Sequence, residues 1–188
     1  MVNFKKYRQK IINSLNQPNL ERDINILFNE IKFTWKSKKN FFICGNGGSA
    51  ANAIHIANDF LYGAGVSNKR GLKVEALTSN PAILTCLAND LSYEDIFSEQ
   101  IKVKGEKNDL LLILSGSGNS KNVINALKEA KKMKLRTFAI LGFGGGKCLK
   151  LANKSIHIKV DDMQISEDFQ MIIMNIIMQK LSKIKLSK

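Results

Sequence analysis

Cys44-Gly45-Asn46-Gly47-Gly48-Ser49 is the stretch on which the reading of this chain turns. The apolar run Phe41-Phe42-Ile43-Cys44 before it has the pattern of a short buried strand, and residues 49–62 read as a helix. Three glycines in the turn permit positive φ and let backbone approach a ligand closely. Ser49 is a good N-cap residue. Free amides and the positive end of the helix dipole then form an anion site. The plain alternative is an ordinary tight turn. A second loop of the same design follows. Leu110-Leu111-Leu112-Ile113-Leu114 is the pattern of a central parallel strand buried on both faces. It feeds Ser115-Gly116-Ser117-Gly118-Asn119-Ser120, after which a helix begins with Val123, Ile124 and Leu127 at helical spacing. Three hydroxyls and two glycines at a strand's C-terminal end can wrap a phosphate. Neither loop ends in the Gly-Lys-Ser/Thr of a nucleotide-binding P-loop. Gly45, Gly47 and Ala50 fit a looser dinucleotide pattern, which leaves the serine-rich loop unexplained.

Strands and helices alternate between these loops and beyond them. Strands are expected at 41–44, 73–77, 109–114, 136–141 and 155–159. Helices are expected at 49–62, within 80–100, at 120–133, near 146–152 and at 165–185. Two helices, broken at Gln17-Pro18-Asn19, precede them. This order predicts a parallel sheet covered by helices on both faces, with ligands beyond the C-terminal strand ends at a topological switch point. At 188 residues the chain is most economically one domain, residues 1–188, and the tail from Lys183 to Lys188 reads as frayed.

Composition narrows the function. An apolar fraction of 44% is that of a globular protein. No apolar run approaches the roughly 18 residues of a bilayer span, and the N-terminal residues lack a signal-peptide core. Cys44, Cys86 and Cys148 are scattered without metal-ligand spacing and read as reduced thiols, so a cytoplasmic location is expected. The net charge of +13 admits nucleic-acid binding, attraction of a phosphorylated substrate, or a Lys-rich genome. The lysines are dispersed and no basic run interleaves with aromatics, so no nucleic-acid partner is expected.

Together the loops, with His55, Ala88-Asn89-Asp90 and residues Glu167 to Gln170, resemble the sugar isomerase (SIS) domain, and more narrowly the phosphoheptose isomerases. The resemblance covers nearly the whole chain. It implies a three-layer α/β sandwich with a five-stranded parallel sheet in flavodoxin-like order plus N-terminal helices. It implies conversion of sedoheptulose 7-phosphate to glycero-manno-heptose 7-phosphate through an enediolate, supplying heptose to surface polysaccharide. It also implies a homotetramer with active sites at subunit boundaries, joined by residues 1–38 and the apolar last helix. Ser49, Ser115, Ser117 and Ser120 would bind the phosphate and substrate, and Asn46, Gly47 and Gly48 would face the sugar. Asn89 and Asp90 would lie near the sugar hydroxyls, their alternative being a helix cap and turn. Glu167, Asp168 and Gln170 would close the site, the alternative for the two acids being charge compensation at a helix start.

Isomerisation needs a group that lifts a proton beside a carbonyl and returns it one carbon away. His55 and Asp59 stand four apart and share a helix face. The resemblance places Asp59 as the base, shorter by one methylene than the family's glutamate, and His55 as its helper. The family's last helix carries a Gln and, eight residues later, a His. Here either Gln170 and Met178 or Glu167 and Asn175 stand at those positions, so the histidine is absent in both registers. Gly63 stands where the family has an Arg. No cofactor is required; a zinc ion, which some members hold, would rest on His55, Asp59, Glu167 and Gln170. Loss of the histidine keeps a rival reading open, a non-catalytic phosphosugar sensor or an oligomeric adaptor of the kind that binds a replication initiator.

Overall fold

The computed structural model describes residues 3–68 and 70–185. The last three residues of the tail read as frayed lie outside them. Two helices, α1 (Phe4–Leu15) and α2 (Leu20–Lys36), lead into a five-stranded sheet. Its strands are β1 (Asn40–Cys44), β2 (Lys73–Ala76), β3 (Leu110–Ser115), β4 (Arg136–Leu141) and β5 (Lys154–His157), all parallel in the order β2-β1-β3-β4-β5. The helices between them are α3 (Gly48–Leu61), α4 (Pro81–Asp90), α5 (Ser98–Lys104), α6 (Lys121–Lys132) and α7 (Gly146–Leu151), and α8 (Met163–Ser182) closes the fold. The expected flavodoxin-like order is observed. Its switch point falls between β1 and β3, the strands that end in the two Gly/Ser loops.

The period-2 alternation of the strands builds two cores. Phe41, Ile43, Leu110, Leu112, Leu114, Phe138 and Ile140 pack with α2, α3 and α8 on one face. Phe42, Cys44, Leu111, Ile113, Ala139 and Leu141 pack with α5, α6 and α7 on the other. β3 is buried at all six positions, as its unbroken apolar run requires.

Boundaries differ in places from the sequence expectation, for local reasons. α5 runs to Lys104 and ends where Gly105 turns extended. β5 ends at His157, beyond which the chain turns to reach α8. That helix starts at Met163 rather than 165, because the Asp162 carboxylate accepts from the Ile165 amide and caps it. Lys10 bonds the same carboxylate at 2.8 Å and holds its pKa below the usual carboxylate range. In α8, Ile165, Phe169, Ile173, Ile177 and Leu181 form a buried row, and Ile176 remains exposed.

The three thiols are unequal. Cys44 and Cys148 are buried, and burial pushes both upward, Cys148 to about 11. Cys86 is exposed, and its hydrogen bond to Asp90 raises it as well. In the folded protein at pH 8, a disulfide-exchange reagent should modify Cys86 alone, and Asp90→Asn should speed that reaction. Labelling of three thiols under native conditions would contradict the packing around β1 and α7.

Candidate functional site at the switch point

Gly47, not Ser49, is the N-cap of α3. It holds φ +56° and ψ −125°, a conformation open to glycine and strained for other residues. Ser49 is therefore the second helical residue, 3% exposed, with both of its polar groups engaged by α8. Its amide donates to Glu167 Oε1 at 3.1 Å, and its hydroxyl accepts from Gln170 Nε2 at 3.0 Å. Asn52 Nδ2, one turn on, donates to Gln170 Oε1 at 2.9 Å and to the Glu167 carbonyl at 3.0 Å. The Glu167 carboxylate lies so close to Gly48 that a Cβ there would collide with it. The first loop is thus built from two elements far apart in sequence, the start of α3 and the second turn of α8.

The serine loop is arranged differently. Ser115 Oγ accepts from the Gly118 amide at 3.0 Å, and Ser117 Oγ accepts from the Asn119 amide at 3.3 Å. Ser120 caps α6 by backbone position, without a side-chain cap bond. Among the described residues, the hydroxyl protons of Ser117 and Ser120 have no protein acceptor, and both serines are half-buried. The loop is braced from behind by the β4–α7 connection and the first turn of α7. The Cys148 amide donates to the Gly118 carbonyl, and the Lys147 amide to Asn119 Oδ1, both at 3.0 Å. His157 joins this brace, its Nε2 lying 2.7 Å from the Phe143 carbonyl. The run Gly144-Gly145-Gly146 was the available signal for this third loop.

One residue that the loop motifs do not reveal ties the two loops together. Asn122, on the first turn of α6 and 1% exposed, forms a reciprocal amide pair with Asn46, each Nδ2 donating to the other's Oδ1 at 2.8 Å. Tyr93 Oη donates to Asn46 Oδ1 at 3.0 Å, which brings the α4–α5 connection to the same point. Lys121 pairs with Glu94 at 2.6 Å and holds that connection on α6. An Asn in a helix's first turn looks like any capping residue, so only the fold reveals the link.

Other expected site residues are not brought to this point. Asp168 turns away from Glu167 and accepts from Tyr7 Oη on α1 at 3.2 Å, because successive residues on a helix face different directions. Asn89 and Asp90 are exposed at the end of α4, where they bond each other and Cys86. His55 Nε2 lies 3.4 Å from Asp59 Oδ2 on the outer face of α3, with side chains 61% and 26% exposed. The four residues expected to hold zinc fall into two separate pairs, His55 with Asp59 and Glu167 with Gln170. Among the described residues, no three His, Cys, Asp or Glu side chains converge on a metal position. Within one chain they do not fit a metal centre. A cavity of about 560 Å³ between α1, α2 and the end of β5 contains neither loop.

Comparison with known proteins agrees with this architecture. The SIS domain family matches residues 6–142. A phosphoheptose isomerase of Helicobacter pylori strain 26695 is 34% identical over 161 residues, covering 86% of this chain and 81% of the relative. The phosphoheptose isomerase of Aliarcobacter butzleri is 38% identical over 153 residues, 81% of this chain and 78% of the relative. The chain belongs to the phosphoheptose isomerase family. A phosphoheptose isomerase structure from Francisella tularensis, 23% identical, superposes with a TM-score of 0.87 over 96% of this chain and 95% of that one, and so shares its fold. Among the described residues, no helix is long and apolar enough to cross a membrane.

The amide pair gives a direct test of the junction. Asn122→Ala removes both reciprocal bonds and strands the Asn46 amide, so unfolding free energy in urea should fall by about 1–3 kcal/mol. A loss well under 0.5 kcal/mol would mean that the pair contributes nothing to joining the loops.

Proposed function

We propose that this protein is a phosphosugar aldose–ketose isomerase that converts sedoheptulose 7-phosphate to an aldoheptose 7-phosphate. The observation that carries the reading is the convergence of two Gly/Ser loops, from neighbouring strands β1 and β3, at the switch point of a family whose named members are phosphoheptose isomerases. A non-catalytic sensor or adaptor is not favoured. Heptose supply to surface polysaccharide is the role that family membership implies.

In this reading, the serine loop holds the phosphate through the hydroxyls of Ser117 and Ser120 and the start of α6. The sugar then extends toward Gly47, Gly48, Asn46 and Glu167. Asp59 takes the proton from the carbon next to the ketone. The electron pair moves onto the carbonyl oxygen to form the enediolate, and the proton returns to the neighbouring carbon. His55 lies within reach of the Asp59 carboxylate, orients it and protonates the substrate oxygen. Asn175 and Met178 cannot carry a proton at neutral pH. Glu167 or a water completes the relay.

An Asp59 ten residues beyond Ser49 stands about 15 Å along α3 from the first loop. Across that distance, a second copy of the chain is the natural source of the acid–base pair for each phosphate loop. The face of α3 around His55 supports this arrangement, because Ile54, Leu61 and Tyr62 are exposed on it. On α1, Phe4, Ile12 and Leu15 are exposed as well. A homotetramer with sites at subunit boundaries would cover both faces.

The reading is tested by proton NMR of the purified protein with sedoheptulose 7-phosphate in D₂O. Deuterium should enter the sugar and aldose should accumulate; unchanged spectra after prolonged incubation would refute the isomerase. Asp59→Asn should abolish this exchange while leaving phosphosugar affinity within about threefold, because the amide keeps the shape and loses the base. Wild-type turnover in that variant would remove Asp59 from the mechanism. Ser117→Ala should weaken binding by about 1.5–3 kcal/mol through loss of a charge-assisted hydrogen bond, measured by calorimetry.

A further inference from the structure

We propose that the Glu167 carboxylate selects sugars bearing one phosphate over sugars bearing two. The inference rests on the phosphosugar reading above and concerns how the two loops divide the substrate between them. In sequence, both loops look like anion cradles. α3 and α6 pack on opposite faces of the sheet, so the two helix starts flank the switch point from either side. A ketose bisphosphate could therefore offer one phosphate to each.

The structure makes the two cradles unequal. At the first, a negative group of the protein already occupies the anion position. Glu167 Oε1 accepts the Ser49 amide at 3.1 Å, and its carboxylate presses on Gly48. Gln170 takes the Ser49 hydroxyl and is itself 1% exposed and bonded to Asn52, so this arrangement is held from both ends of the contact. Among the described residues Glu167 has no cationic partner, and its charge faces the helix start and the site. Among the described residues no carboxylate is bonded to the second cradle's loop, and the Ser117 and Ser120 hydroxyls have protons to give. A phosphate dianion fits the serine loop and is repelled at the glycine loop. A neutral polyol end fits the glycine loop, because a carboxylate accepts hydrogen bonds from sugar hydroxyls. Like charges a few ångströms apart in a partly desolvated site should lower affinity by about tenfold or more.

Calorimetric titration of the full chain tests this with two probes, sedoheptulose 7-phosphate and sedoheptulose 1,7-bisphosphate. Wild-type protein should bind the monophosphate at least about tenfold more tightly than the bisphosphate. Glu167→Gln keeps an oxygen for the Ser49 amide and drops the charge. It should tighten the bisphosphate by about tenfold, whereas the monophosphate loses an acceptor for a sugar hydroxyl and should not tighten. Equal wild-type affinities for the two sugars, or the same ratio in both proteins, would overturn the role of Glu167 while leaving the phosphosugar reading in place. A wild-type protein that binds neither sugar would overturn that reading, and this inference with it.

Discussion

The site depends on how closely the first turns of α8 approach the C-terminal ends of the sheet. Three glycines make that approach possible, each in the segment that follows a different strand. A Cβ at Gly48 would collide with Glu167, at Gly116 with Met163, and at Gly142 with Ser166. α8 is thus the cover of the switch point as well as the last layer of the core. Its buried row from Ile165 to Leu181 fixes its rotation, and the Asp162 cap fixes its start. Rotation and start together decide that Glu167 and Gln170 reach α3 while Asp168 faces α1.

This dependence explains why the two loops, alike as strings of residues, differ as sites. The serine loop is held by its own turn and by the β4–α7 connection behind it, which leaves the hydroxyl protons of Ser117 and Ser120 without a protein acceptor among the described residues. The glycine loop is completed by α8, which fills it with a carboxylate and an amide. Helix-start electrostatics favour an anion at each. At the first loop that anion is a side chain of the protein.

Much of this was legible in the chain. Period-2 and period-3.6 patterns gave the alternation of elements, and the apolar run of β3 identified a central strand. Loop composition identified the strand ends that matter. What local sequence could not supply was orientation across long separations. Ser49 looks like an N-cap, yet the cap lies two residues earlier because Gly47 can take a positive φ, and Ser49 bonds Gln170, 121 residues away. Asn122 and Tyr93 were invisible as site residues because their partner, Asn46, lies 76 and 47 positions distant. Asp168 and Glu167 are adjacent in sequence, and only the fixed rotation of α8 separates their roles.

The same geometry bears on the histidine missing from α8. α3 and α8 run in the same direction, since Ser49 meets Glu167 and Gln170 near both starts and Gly63 lies near Met178 farther along. Asp59 lies between Ser49 and Gly63, so the α8 residue level with it lies between Gln170 and Met178, a span that contains Asn175. Met178, by contrast, is level with the turn after α3. A group on α8 that meets a substrate near Asp59 therefore belongs within that span, before Met178. That span favours the register in which Glu167 stands at the family's glutamine and Asn175 at its histidine. On that reading two substitutions occur together on one helix: a proton carrier is lost at Asn175, and a carboxylate is gained at Glu167, eight residues back. A carboxylate bonded to one amide keeps a second oxygen for a substrate hydroxyl. On that reading the helix without its acid–base group still carries, at Glu167, a carboxylate that can accept and return a proton.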